Sequence, residues 1–233
     1  MSPEFFTVHA GIPREGPGEP ADVARATAVL GVAPDARILD AGCGPGADIA
    51  ALLGAAPGGH VTARDTHAPF VARVSEAWGD DPRVAAEVAP MANPGGPFDL
   101  IWSAGALYTM GLEAALAAMR RLVAPGGGLA FSQGCLFEES PEARAFWGGD
   151  PVLSEAALHA ACTAAGWQVV ESWRLSDAAW QAYYGPLRAR CDALEPGAGE
   201  ALLAAVAEAR AEAAVWEKVK RQTGYLFIAA RPA

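Results

Sequence analysis

A chain of 233 residues suits one domain of the α/β type. Its 52% hydrophobic content supports a sizeable core, and its 19% charged content is too low for a disordered chain. A net charge of −10 argues against a nucleic-acid partner, which needs a basic stripe, and is compatible with small molecules.

Residues 11–20, dense in Gly and Pro, read as loop, and a helix is expected over about 21–30. Pro34-Asp35 turns the chain into a first strand that ends in Ile38-Leu39-Asp40-Ala41-Gly42-Cys43-Gly44-Pro45-Gly46, followed by a helix-like run from Ala47 to Leu53. Pro57-Gly58-Gly59 breaks that helix, and His60 to Asp65 reads as the second strand. Phe70, Val71, Val74, Ala77 and Trp78 carry helical spacing. Arg83 to Val88 is a weak third strand, and Phe98 to Ser103 a strong fourth, apolar as a strand buried on both faces should be. Leu112 to Val123 predicts an amphipathic helix stopped at Ala124-Pro125-Gly126-Gly127, with a fifth strand over Leu129 to Gln133.

Ser154 is an N-cap candidate for a helix that Gly166 ends. Gln168 to Trp173 and Gly224 to Ala230 complete seven strands. Between them a helical insertion, residues 177–223, is divided by Pro186 and by Pro196-Gly197. Strands alternating with helices predict a doubly wound, Rossmann-like, mostly parallel sheet in a single domain, residues 1–233, whose first 20 residues form an N-terminal segment.

The four cysteines, Cys43, Cys135, Cys162 and Cys191, lack C-x-x-C spacing, and no His is placed to complete a metal site. They read as small buried thiols of a reducing compartment, with no metal expected. No basic-then-apolar leader and no run of membrane-spanning length is present, so the expectation is a soluble cytoplasmic protein with no membrane partner. Homodimerisation stays open.

A strand running into a Gly-rich turn and then a helix is a nucleotide-cofactor cradle, because glycine lets the backbone approach a ligand and the helix offers free N–H groups. Gly42-Cys43-Gly44-Pro45-Gly46-Ala47 satisfies the dinucleotide pattern G-x-G-x-x-G/A, so an NAD(P)-dependent oxidoreductase is one reading. Two features favour a cationic ligand. Asp40, two residues before the first glycine, repels a pyrophosphate and suits an ammonium or sulfonium. Pro45 removes an N–H that a phosphate would use. Asp65, about 20 residues on, can accept from both hydroxyls of a ribose in either cofactor class.

With Asp40 to Gly46, Asp65, the strand Phe98 to Ser103 leading to Tyr108, and Leu122-Val123-Ala124-Pro125-Gly126-Gly127, the chain resembles the class I S-adenosylmethionine (SAM) methyltransferases over about residues 12–230. It is similar within them to bacterial small-molecule methyltransferases related to quinone-biosynthesis enzymes, by Arg14 to Gly18, Trp102 to Tyr108 and Trp180 to Leu187. The resemblance implies that the last strand inserts antiparallel, that residues 1–20 close over the site, and that SAM methylates a small-molecule acceptor. It implies cofactor contacts from Asp40, Gly42, Cys43, Gly44, Asp65, Thr66, Pro90, Met91 and Ala104, and from Arg14 toward the methionine carboxylate. Two departures stand out. Ala89-Pro90-Met91-Ala92-Asn93 lacks the acid that relatives use for adenine, and Ala104 stands where similar proteins have Glu. A SAM-binding, non-catalytic interaction module is therefore a third reading.

Around the reacting centre the candidates are Tyr108 and His9 for catalysis, and Tyr108, Trp147, Trp180, Tyr183 and Tyr184 for substrate. His9 reads either as a base under the lid or as a tail residue. Trp180, Tyr183, Tyr184 and Leu187 have the i, i+3, i+4, i+7 spacing of a core-facing stripe as well as of a pocket wall.

Overall fold

The computed structural model describes residues 2–149 and 151–233. In chain order the elements are α1 (Pro3–His9), α2 (Pro20–Val29), β1 (Arg37–Ala41), α3 (Ile49–Ala55), β2 (His60–Asp65), α4 (Ala68–Trp78), β3 (Val84–Val88) and β4 (Phe98–Ala104). After a short 3-10 turn (Leu107–Met110) come α5 (Leu112–Leu122), β5 (Val123–Leu136), α6 (Pro141–Phe146), the two-residue β6 (Leu153–Ser154) and α7 (Glu155–Ala164). The chain ends with β7 (Trp167–Arg174), α8 (Asp177–Leu194), α9 (Glu200–Val219) and β8 (Thr223–Pro232).

Seven strands form the sheet path β3-β2-β1-β4-β5-β8-β7, and β6 adds a short parallel ladder to β5. Pairings from β3 to β5 are parallel, while β8 runs antiparallel to both β5 and β7. This is the seven-stranded, mostly parallel, doubly wound sheet that the alternation of elements predicts.

The two faces are built by strand alternation. Ile38, Leu100, Trp102, Ala130 and Phe227 meet α2, α3 and the cap formed by α8 and α9. Leu39, Ile101, Leu129, Phe131 and Ile228 meet α5 and α7. Central strands covered on both sides must be apolar throughout, which is why β1 and β4 are the clearest runs in the sequence. β3 is an edge strand with half-buried residues, so its weak signal has a physical cause.

Three boundaries differ from the sequence reading. Pro186 does not divide the insertion: α8 is continuous from Asp177 to Leu194. Proline inside a helix costs about 3 kcal/mol. That cost is offset because Trp180, Tyr183 and Tyr184 before it and Leu187 and Cys191 after it are buried on one stripe. Pro196-Gly197 does separate α8 from α9. The Pro125-Gly126-Gly127 turn lies inside β5 as a register shift, Phe98 pairing with Val123 and Leu100 with Gly128. Finally, α1 and α6 lie in stretches to which the sequence reading assigns no element. Each begins with Ser before Pro, and the Ser2 and Ser140 hydroxyls accept from Phe5 N–H and Ala143 N–H.

Among the described residues, no helix is long and apolar enough to cross a membrane.

Candidate functional site

The strand order reverses between β1 and β4, and open α/β sheets bind ligands outside the carboxyl ends of their strands at such a point. The loops after β1, β2, β3 and β4 converge there on a cavity of about 550 Å³, and α1 with the segment behind it closes the top. Gly42 begins the first loop with φ +76°, and a Cβ there would stand 2.3 Å from Ala106 Cβ. No other residue fits between the β1 and β4 loops. A second depression, about 590 Å³, is formed by the single segment Ser75 to Pro82 at the end of α4. It gathers no loops from the strand ends.

Acids dominate the cavity. Asp40 sits at the end of β1, 3% exposed, and its Oδ2 accepts no hydrogen bond from the protein. Burial, then repulsion from Asp48 and Asp65, push its carboxyl well above the usual carboxylate range, while Arg14 pulls the other way. Asp65, ending β2, accepts from Gly44 N–H at Oδ2 (3.0 Å) and from His67 N–H at Oδ1 (2.8 Å). The two bonds aim its carboxylate and leave each oxygen a lone pair. Asp48, just before α3, accepts from Trp102 Nε1 (2.9 Å) and from Arg14 Nη2 (3.4 Å). Arg14 Nε also donates to Gly16 O (2.6 Å), so two of its three guanidinium nitrogens are engaged.

Aromatic rings of α1 form the roof. Phe6 stacks on His67 with centroids 4.5 Å apart, and Phe5 stacks on His9 at 4.0 Å. Arg73 Nη1 donates to Ile12 O (3.0 Å) and Arg190 Nη2 to Thr7 O (3.3 Å), so α4 and α8 each hold this segment down.

The residues expected at a cofactor divide as follows. Asp40, Gly42, Cys43, Gly44, Asp65, Thr66, Pro90, Met91, Ala104 and Arg14 all line the cavity. Tyr108 lines it too and is half exposed. His9 does not: it is buried behind the wall, its Nδ1 2.9 Å from Glu15 Oε2. Trp147, Trp180, Tyr183 and Tyr184 also lie outside the lining. Trp147 donates Nε1–H to Thr223 Oγ1 (2.7 Å), Trp180 stacks on Trp216 at 4.9 Å, and Tyr184 donates to Glu212 Oε1 (2.9 Å). Trp180, Tyr183 and Tyr184 belong to the core under the α8–α9 cap, whereas Trp147 follows α6 and packs on Gly134 and Tyr225. Burial pushes the Tyr183 and Tyr184 hydroxyls up, so both stay protonated at neutral pH.

The lining includes residues that sequence reasoning missed: Phe5, Phe6, Glu15, Asp48 and Tyr225. Asp48 had a signal, an acid at the mouth of the first helix after the turn. Tyr225 had none, because its place depends on β8 entering beside β5, where it pairs with Gly134. The Cys43 thiol, driven up by burial and by Asp40, stays protonated and is no nucleophile.

Residues 38–127 match the family model described as a methyltransferase domain. Among curated proteins, the chain is 34% identical over 113 residues to malonyl-[acyl-carrier protein] O-methyltransferase of Enterobacter lignolyticus, covering 48% of this chain and 44% of that one. It thus spans less than half the length of that relative. Among solved structures, a SAM-dependent methyltransferase from Geobacter sulfurreducens in complex with S-adenosyl-L-homocysteine superposes with TM-score 0.84 at 20% identity, covering 100% of this chain and 99% of that one. A SAM-dependent methyltransferase from Thiobacillus denitrificans, also with S-adenosyl-L-homocysteine, gives 0.82 at 20% identity over 100% and 99%. The matched segment is thus similar to a methyltransferase domain, and the two solved structures share the fold of the whole chain.

Proposed function

We propose that this protein transfers a methyl group from SAM to a small-molecule acceptor. The observation that carries the reading is Asp40, a buried acid with one oxygen unpartnered in the protein, lining a cavity that Asp48 and Asp65 also line. Such a site opposes the pyrophosphate of a dinucleotide and favours a ligand bearing positive charge. The residues present fit SAM. Asp65 is aimed to accept from the ribose hydroxyls, Pro90 and Met91 flank the adenine side, and the Gly42 turn admits close backbone approach. Asp40 answers the cationic groups and Arg14 the carboxylate.

When bound, SAM supplies a methyl group already activated on a positively charged sulfur. The chain then mainly has to align, and alignment supplies about 7–11 kcal/mol against about 3–5 kcal/mol for a general base. Phe5 and Phe6 exclude water from above, and Tyr108 and Tyr225 line the same cavity. The malonyl group named in the curated relatives is not carried over. A carboxylate acceptor would meet Asp40, Asp48 and Asp65, with Arg14 already assigned to the SAM carboxylate.

Calorimetry tests the reading. SAM is expected to bind and NAD not to bind. The sign of the pH dependence follows from Asp40. Its carboxyl is raised in the empty protein, so on the acid side of that raised value it holds a proton that a cation must displace. SAM affinity is therefore expected to rise with pH, by up to about tenfold per unit, until Asp40 of the free protein is ionised, and then to level off. Binding in buffers of different ionisation enthalpy should show proton release on the acid side. In the empty protein the same group makes stability fall as pH climbs from the unfolded carboxylate pKa through the raised one. Affinity that ignores pH, or uptake of protons, would remove Asp40 from the cation's site.

A further inference from the structure

The methyl-donor reading draws on the tips of β2, β1 and β4, which carry Asp65, the Gly-rich turn and Ala104. Tyr225 lines the same cavity from β8, two places beyond β4 in the sheet. Neighbouring strands lie about 4.8 Å apart, so the four steps from β2 to β8 put roughly 20 Å of sheet between Asp65 and Tyr225. The Tyr225 ring nevertheless reaches back over the tip of β5 to the β4 loop. A Cβ at Gly105 would stand 3.7 Å from its Oη.

That ring is held from several directions. Tyr225 pairs with Gly134 of β5, and the Trp147 ring fills the space that a side chain at Gly134 would need, 2.9 Å from the Cβ position. Trp147 meets Tyr225 edge-on, with centroids 5.4 Å apart and planes at 81°. Its Nε1–H donates to Thr223 Oγ1 (2.7 Å), whose hydroxyl donates to Cys135 O (2.7 Å). From α8 the Trp180 ring lies 5.7 Å away. The roof divides in the same sense. Phe6 stacks on His67, just after β2, whereas Phe5 stacks on His9, whose ring is 6.1 Å from that of Tyr183 on α8. A phenol fixed by its neighbours is a preorganised recognition group. It offers a hydrogen bond to a hydroxyl or amine, and its ring favours a flat aromatic partner.

Resting on the methyl-transfer reading, we infer that Tyr225 orients the methyl acceptor, that Trp147 is the positioning residue behind it, and that the acceptor is an uncharged aromatic compound bearing a hydroxyl or an amine. Asp40, Asp48 and Asp65 in the same cavity oppose an anion. An ammonium has no lone pair with which to take a methyl group.

The test titrates p-cresol, p-toluidine and p-xylene, one shape carrying a hydroxyl, an amine or a methyl group, into protein saturated with S-adenosylhomocysteine. Ligand-observed NMR reads binding at a pH where all three probes are uncharged. In Tyr225→Phe, which keeps the ring, the affinity of p-cresol or p-toluidine relative to p-xylene is expected to fall about fivefold, while S-adenosylhomocysteine affinity stays within about threefold. The probe that loses more identifies the acceptor atom as oxygen or nitrogen. The anion p-toluate should bind the wild type at least about tenfold more weakly than p-cresol. Trp147→Ala should reproduce the lost discrimination, and Trp147→Phe, which keeps a ring edge against Tyr225, should restore it. Discrimination is a ratio that a purely structural loss of stability leaves in place, so Trp147→Ala with full discrimination removes Trp147 from the inference. Relative affinities unchanged in Tyr225→Phe, no probe binding, or p-toluate binding best overturns the assignment of Tyr225. So does a Tyr225→Phe effect confined to S-adenosylhomocysteine, which would make Tyr225 a cofactor ligand. Failure of the wild-type protein to bind S-adenosylhomocysteine at all would strike the methyl-transfer reading beneath it instead.

Discussion

Replacing Asp65 by alanine is expected to lower SAM affinity by about 10²–10⁴-fold. A hydrogen bond to a charged acceptor contributes about 1.5–3 kcal/mol, and loss of two ribose hydroxyl bonds removes about 3–6 kcal/mol, at 1.4 kcal/mol per tenfold. The substitution also strips the acceptor from the Gly44 and His67 N–H groups, so the Gly-rich turn loses its tether to the end of β2. Asp65→Asn keeps one acceptor oxygen and the shape, and should fall between the two. Titration calorimetry at fixed pH and salt reads the effect directly. An Asp65→Ala protein within tenfold of wild type would mean that the second acid is a loop anchor and not a ribose ligand.

The second large effect is expected at Gly42. An alanine there must hold φ +76°, and its Cβ would lie 2.3 Å from Ala106 Cβ. Left-handed backbone costs about 1–2 kcal/mol for a residue with a Cβ, and forcing a methyl into a filled space costs about 1–3 kcal/mol more. At about 2–4 °C per kcal/mol for a chain of this size, Gly42→Ala should melt about 5–20 °C lower. SAM affinity should fall as well, since relief requires the β1 and β4 loops to part at the cavity floor. Gly54→Ala is the internal control. Gly54 lies in α3 with nothing within 4 Å of its Cβ position, so alanine there should leave melting unchanged or raise it slightly. Equal melting of the two variants would show that the Gly42 turn tolerates a side chain and is not the tight point of the site.

These two residues belong to the part of the site that was legible in advance, because it is local. Asp40 to Gly46 is a contiguous strand-turn-helix, and Asp65 ends the next strand, so spacing along the chain already places both beside one ligand. All ten residues expected to contact the cofactor line the cavity, but the local pattern accounts only for those of the Gly-rich turn and Asp65, the rest being implied by the resemblance. Arg14 among them needed the resemblance, since nothing in a Gly/Pro loop says where it folds. Legibility fails with distance along the chain. The helical stripe Trp180, Tyr183, Tyr184, Leu187 satisfies a core and a pocket wall equally well, and only the packing of α8 on α9, with Trp180 against Trp216, shows that those rings fill the cap. His9 and Glu15 sit six residues apart in a stretch with no periodicity. Their pairing depends on α1, whose Ser2-Pro3-Glu4 start was a readable helix signal.

By itself the sequence determined the doubly wound sheet, the order of its elements and the acidic, glycine-hinged turn at its switch point, because these follow from hydrophobic period and from residues adjacent in the chain. The tertiary structure alone decided which acids share one desolvated cavity, that Arg14 is engaged by Asp48, and that Tyr225 and Glu15 face the same space. Those are contacts between segments tens to hundreds of residues apart, and no local pattern encodes them. Burial by the whole fold is also what raises the Asp40 carboxyl and leaves one of its oxygens without a partner in the protein.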